Sequence, residues 1–175
     1  MTRHVVLLGL MGAGKTSIGR IVAERLSVHL IDGDEQLAKR TGGRTAAEIA
    51  DAEGIEHLHD LEVEVALAAL DSPDDAVIGP AASVCESATV RDHMAGHTLV
   101  WLTAPIDYLA EKATKKNHRP LVRDNDPVQL LTEQRERREP LVLALDPLVI
   151  DVSQVDDVAA ADLIVTLARE RPTTT

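Results

Sequence analysis

The chain has 175 residues, 45% of them hydrophobic, and a formal charge of −11. The hydrophobic share excludes wholesale disorder, and the length suits a single domain, residues 1–175, with one substantial core. The negative charge argues against nucleic-acid or anionic-membrane partners, since both need a basic face. In chain order, the apolar patterning predicts a strand at Val5–Leu8, a helix at Lys15–Ser27, a strand at Val28–Ile31, and helices at Asp34–Arg40, Ala46–Glu53 and His57–Leu70. It continues with a strand at Ala76–Ile78, a helix at Ala88–Ala95, a strand at Thr98–Leu102, and helices at Ile106–Thr114 and Pro127–Glu139. A strand at Leu148–Val152 and a helix at Val155–Arg169 complete the pattern. Five strands interleaved with helices imply an α/β fold of three layers: a five-stranded parallel sheet with helices on both faces.

With one Trp, one Tyr and no Phe, the core must be built from aliphatic side chains. The single Cys85 permits no internal disulfide, which suits a reducing cytoplasm. Met1 to His4 lead straight into the first strand, so no signal peptide is expected, and no apolar run approaches membrane-spanning length. A cytoplasmic monomer is expected, with a frayed tail at residues 172–175.

The stretch Gly9-Leu10-Met11-Gly12-Ala13-Gly14-Lys15-Thr16 fits G-x-x-x-x-G-K-[ST], the phosphate-binding P-loop, between a predicted strand and a predicted helix. The glycines let the backbone curl so that amides point at phosphate oxygens, and the new helix adds its positive end. Gly12, Ala13, Gly14, Lys15, Thr16 and Ser17 are therefore the expected nucleotide-binding residues. Lys15 is placed to reach the outer phosphates, and Thr16 to ligate Mg²⁺.

Ligands of parallel sheets gather beyond the carboxyl ends of the strands, where Asp32, Asp34, Gly79 and Thr103 are expected. Of Asp32 and Asp34, one can hold a Mg²⁺-bound water and the other can accept a proton from an attacking hydroxyl. The plainer reading of Asp34 is a cap on a helix beginning at Glu35. Residues 115–126 are polar, cationic and broken by Pro120, which fits either a solvated loop or a lid carrying Arg119 onto the phosphates. Arg135, Arg137 and Arg138 lie on a helix expected to end before Pro140, either paired with Glu133, Glu136 and Glu139 on a solvated face or with one arginine turned inward. His93 and His97 have helical metal-ligand spacing, but Gly96 intervenes and no third ligand is evident. Cys85 reads as a small buried residue.

Over nearly its full length the chain resembles the shikimate kinases. The resemblance is carried by the P-loop with Ser17-Ile18-Gly19-Arg20, Asp32-Gly33-Asp34, Lys39-Arg40-Thr41-Gly42, Gly54 and its acidic helix, Arg119-Pro120-Leu121, and Arg138-Glu139-Pro140-Leu141. It implies a P-loop kinase fold, ATP and Mg²⁺ as cofactors, a lid, an acceptor-binding helical region at about 35–61, Asp34 as base, and Arg138 as a carboxylate-binding arginine. The family's reaction moves the γ-phosphate of ATP to the 3-hydroxyl of shikimate. Three departures fall on the expected acceptor side. The family's Phe-Arg pair, whose arginine grips the substrate carboxylate, reads Leu58-His59. Its Gly-Gly-Gly run reads Gly79-Pro80-Ala81-Ala82, and its tyrosine after Arg-x-Pro-Leu reads Val142. The reading adopted is a kinase acting on a small cyclic or polyol hydroxyl compound other than standard shikimate, with His59, Pro80, Ala81, Ala82, Asp34 and Arg138 around it. An orthodox shikimate kinase and a nucleotide-binding regulatory paralogue without transferase activity remain the alternatives.

Overall fold

The computed structural model describes residues 3–115 and 126–170. Five strands form one sheet: β1 (Val5–Gly9), β2 (His29–Asp32), β3 (Ala76–Gly79), β4 (Thr98–Thr103) and β5 (Leu148–Asp151). Their order is β2-β3-β1-β4-β5. Every pairing is parallel, as βαβ connections require. All five residues of β1 are buried, which explains why its sequence is continuously apolar and not alternating.

Among the described residues eight α-helices flank or cap the sheet. They are α1 (Lys15–Leu26), α2 (Gly33–Arg40), α3 (Ala46–Glu53), α4 (Ile55–Leu70), α5 (Ala88–Met94), α6 (Ile106–Lys115), α7 (Pro127–Leu143) and α8 (Asp157–Glu170). A 3₁₀ turn at Ala82–Glu86, absent from the sequence-based expectation, follows β3. α1 packs on α8, and α6 on α7. The main core is aliphatic around one fully enclosed Trp101, whose indole N–H donates to Glu139 Oε1 at 3.0 Å.

Chain direction places the ligand crevice. From β1 the chain moves outward to β2 and back through β3, then crosses to β4 and β5 on the other side. A reversal of this kind opens a crevice at the carboxyl end of β1, and the P-loop leaves from that end. A second, smaller core of Leu37, Ile49, Leu58 and Val65 ties α2, α3 and α4 together beside the crevice. It occupies the stretch expected to bind the acceptor.

Two boundaries differ instructively. β2 runs one residue later than the patterning indicates, so Asp32 is its last residue. α7 does not stop before Pro140 but continues to Leu143. Proline deletes one backbone donor. The carbonyl left over is that of Glu136, an exposed residue that water can serve. Burial of Val142 in the main core and the Trp101–Glu139 bond hold the last turn in place.

Candidate active site

The P-loop bridges β1 and α1, and two of its glycines have backbone angles that only glycine adopts freely. Gly12 has φ 85° and Gly14 φ 84°. A side chain at Gly12 would also strike the Leu109 carbonyl, 2.5 Å from its Cβ. Gly14 is the N-cap of α1, and no side chain caps that end. The first amides of α1 are thus left to an anion, the arrangement that binds phosphate at helix N-termini. Lys15 Nζ donates to the Gly9 carbonyl at 2.7 Å, so the ammonium lies folded across the loop.

Thr16 Oγ1 donates to Asp32 Oδ2 at 2.6 Å. The other oxygen of Asp32 accepts from the amides of Asp34 (3.0 Å) and Glu35 (3.3 Å). Asp32, not Asp34, therefore caps α2, which begins at Gly33 and not at Glu35. The cap role weighed for Asp34 is corrected: its carboxylate stands in the first turn and lines the cleft. Thr16 and Asp32 present hard oxygen donors side by side. Mg²⁺ takes one or two such protein oxygens alongside phosphates and water, so this pair fits it. Among the described residues no cluster of three or more His, Cys, Asp or Glu side chains offers a closed metal cage, the His93 and His97 pair included.

The cleft, about 910 Å³, runs from the P-loop across the ends of β2 and β3 to α3, α4 and α7. The same cleft is lined by Asp34, His59, Pro80, Ala81, Ala82 and Arg138, the residues named above as acceptor-side candidates. His59 is half-buried, and burial first, then the nearby Arg138 charge, pull its pKa below the usual histidine value. It is a neutral group at neutral pH. The 79–82 turn packs its backbone on α2: a Cβ on Gly33 would sit 3.1 Å from the Ala81 amide nitrogen.

Arg138 is the inward arginine of α7, 4% exposed. Its Nε donates to Glu86 Oε1 at 2.6 Å and its Nη1 to Gln134 Oε1 at 3.0 Å. Of the two alternatives, the inward arginine is the one observed; among the described residues no ion pair joins Arg135, Arg137 or Arg138 to Glu133, Glu136 or Glu139. Arg135 donates instead to the Ala104 carbonyl, and Glu139 serves Trp101. Val142 is corrected as well: it is fully buried in the main core and does not line the cleft, because it sits in the last turn of α7 where that helix meets the sheet. Arg119, residues 116–125 of the expected lid, and the 172–175 tail lie outside the described residues.

Cys85 is buried and its thiol, pushed up to about 11 by burial, donates to the Ala82 carbonyl at 3.2 Å. Among the cleft residues that escaped the sequence reading are Glu62 and Ser83, joined by a hydrogen bond from the serine hydroxyl to the carboxylate. Glu62 lies three residues after His59 on α4, hence on the same helix face, and that spacing was the available signal.

A family model described as shikimate kinase matches residues 11–168. A shikimate kinase of Mesorhizobium japonicum is 34% identical over 169 residues, covering 96% of this chain and 82% of that protein. One from Brucella canis is 33% identical over 168 residues, covering 95% of this chain and 83% of its own. Among solved structures, a shikimate kinase from Acinetobacter baumannii in complex with shikimate aligns with a TM-score of 0.87 at 26% identity, over 95% of this chain and 93% of that one.

Proposed function

The chain belongs to the shikimate kinase family, and from that premise we propose that its phosphate acceptor is a small hydroxylated ring or polyol carrying less negative charge than shikimate. The phosphotransferase itself is ATP-dependent and uses Mg²⁺. Each site residue then takes a role. The P-loop amides from Gly12 to Ser17 hold the phosphates, with Lys15 swinging from the Gly9 carbonyl to the transferred group. Thr16 and Asp32 would hold Mg²⁺, which would neutralise charge on the phosphate oxygens. Asp34 accepts the acceptor's hydroxyl proton as that oxygen bonds to the γ-phosphorus and the bond to the β-phosphate oxygen breaks.

The observation that carries the acceptor reading is His59. A neutral, half-buried imidazole cannot make the permanently charged, two-pronged contact of a guanidinium with a carboxylate. Pro80, Ala81 and Ala82 add bulk, and Pro80 lacks an N–H donor, along the same wall. Arg138 is the argument for the second reading, an orthodox shikimate kinase, since one buried guanidinium can hold a carboxylate. Its engagement with Glu86 weighs against that. The test is His59→Arg. Restoring a charged contact to a carboxylate is worth on the order of tens- to a hundredfold in binding. We expect kcat/KM for shikimate to rise by that factor while KM for ATP stays fixed. No gain would remove the central support for the altered acceptor.

No helix among the described residues is long and apolar enough to cross a membrane. A cytoplasmic monomer remains our proposal; the single Cys85 is a free thiol, which suits a reducing compartment.

A further inference from the structure

The 3₁₀ turn Ala82–Glu86 carries Val84 and Cys85 into the core and packs on α7. Its backbone is anchored: Arg91 Nη1 donates to the Cys85 carbonyl at 2.7 Å, and the Ser87 amide donates to the Val84 carbonyl at 3.1 Å. Glu86, the last residue of the turn, is thus presented from a fixed point. Its Oε1 accepts from Arg138 Nε at 2.6 Å, and its Oε2 stands 4.0 Å from Arg137 Nε. Its charge also reaches His59, where burial and then Arg138 lower the pKa and Glu86 opposes them.

The cations of the cleft differ in what they can do for an anionic acceptor. Arg20, Lys115 and Arg137 are exposed, so water and salt screen them. Lys15 serves the phosphates once nucleotide is bound. Arg138 is the buried cation among the described cleft residues, and a charged contact is strongest out of water. The side-on fork of its guanidinium needs Nε, and Glu86 holds that nitrogen. Gln134 takes a hydrogen of Nη1 at 3.0 Å. A carboxylate arriving in the cleft therefore meets an arginine whose counter-charge is already in place. It must either displace Glu86, which leaves that carboxylate without its partner, or sit beside it as a like charge.

We propose that Glu86 determines the charge of the acceptor: from the 3₁₀ turn it supplies to Arg138 the carboxylate that an acidic acceptor would otherwise bring, so the site admits neutral ring alcohols and turns acids away. The inference rests on the altered-acceptor reading and gives it a second cause. His59 withholds one charged contact, and Glu86 occupies the other. Glu86 is a positioning residue, since it acts through Arg138.

The experiment compares shikimate with cyclohexane-1,2,4-triol by ADP release, in the wild-type enzyme and in Glu86→Gln. Glutamine keeps an acceptor for Arg138 Nε and removes the charge. The ratio of kcat/KM for shikimate to that for the triol is expected to rise roughly tenfold or more, the value of one charged hydrogen bond. The rise should come through KM for shikimate, with KM for ATP unchanged. A merely structural role would move both acceptors alike, and an unchanged ratio overturns the proposal. The variant leaves a buried arginine short of counter-charge and should be less stable than wild type. Shikimate should therefore raise the Tm of Glu86→Gln more than that of the wild-type enzyme, because its carboxylate restores the missing charge. Equal shifts overturn the proposal as well. Should Glu86→Gln fail to fold, Glu86→Asp keeps the charge and draws it back; a smaller rise in the same ratio is then expected, and no rise overturns the proposal. The parent reading is judged in the wild-type enzyme alone. Shikimate preferred over the triol there removes the altered acceptor, whereas shikimate disfavoured there with an unmoved ratio in the variant removes only the role of Glu86.

Discussion

Asp34 and Lys15 are the residues whose removal separates chemistry from binding. Asp34→Asn keeps the shape of the first turn of α2, and the cap stays intact because Asp32 supplies it. Turnover should fall about 10²- to 10⁴-fold, the usual range for a lost general base, with ATP affinity preserved. Near-normal turnover would assign the proton to another group. Lys15→Ala removes the Gly9 carbonyl contact as well as the charge, so a stability loss of about 1 kcal/mol should accompany a roughly ten- to hundredfold weaker ATP affinity. Isothermal titration with ATP reads the second effect; unchanged affinity would contradict the P-loop assignment. Glu62 gives a pH signature. Its folded pKa lies above 4.5, so the folded state holds this proton more tightly than the unfolded one. Its contribution is fully present below about pH 4.5 and lost as pH rises through the folded pKa. Glu62→Gln should therefore raise Tm at neutral pH, with the gain vanishing in acid. A variant less stable at neutral pH would make Glu62 a structural residue. The sequence disclosed Asp32 and Asp34 as a pair but not which of them caps α2. That depends on a one-residue shift in where β2 ends.

At the scale of elements, the region proposed to hold the acceptor is a small three-helix assembly with its own core, joined to the main core through α4. Ile49 is fully buried in that core. Ile49→Ala should cost about 2–5 kcal/mol and loosen α2, α3 and α4 together. Urea denaturation gives the loss, and KM for the acceptor should rise more than KM for ATP, since Ile49 is remote from the P-loop. An equal effect on both would show that the two halves of the cleft are not mechanically separate. The helices were readable from their spacing because amphipathic periodicity is local information. The links that build the acceptor wall were not. Ser83 meets Glu62 across 21 residues and Arg138 meets Glu86 across 52, with no local pattern to mark either pair. Pro140 misled for the opposite reason: a local breaker was overruled by burial of Val142 three-dimensionally next to the sheet.

At the scale of the whole molecule, the parallel sheet and its crevice were legible because β1, β3 and β4 are buried strands with continuously apolar sequences. The P-loop was legible because strand, glycines and helix are contiguous. The wall proposed to face the acceptor was not, because it is assembled from three separate helices, a 3₁₀ turn and the end of a sheet. The two acceptor-site departures that line the cleft, His59 and Pro80-Ala81-Ala82, keep their weight, while Val142 loses its own by lying in the core. The P-loop, Thr16 and Asp32 stand beside them, and the family is one of ATP-dependent phosphotransferases; a changed second substrate is our proposal for this member. The most direct measurement is kcat/KM of the wild-type enzyme for shikimate, set beside cyclohexane-1,2,4-triol under saturating ATP and Mg²⁺. The account predicts a value for shikimate below that for the neutral ring. A value for shikimate of about 10⁴ M⁻¹s⁻¹ or more, within the ordinary range of enzymes acting on their own substrates, would contradict it.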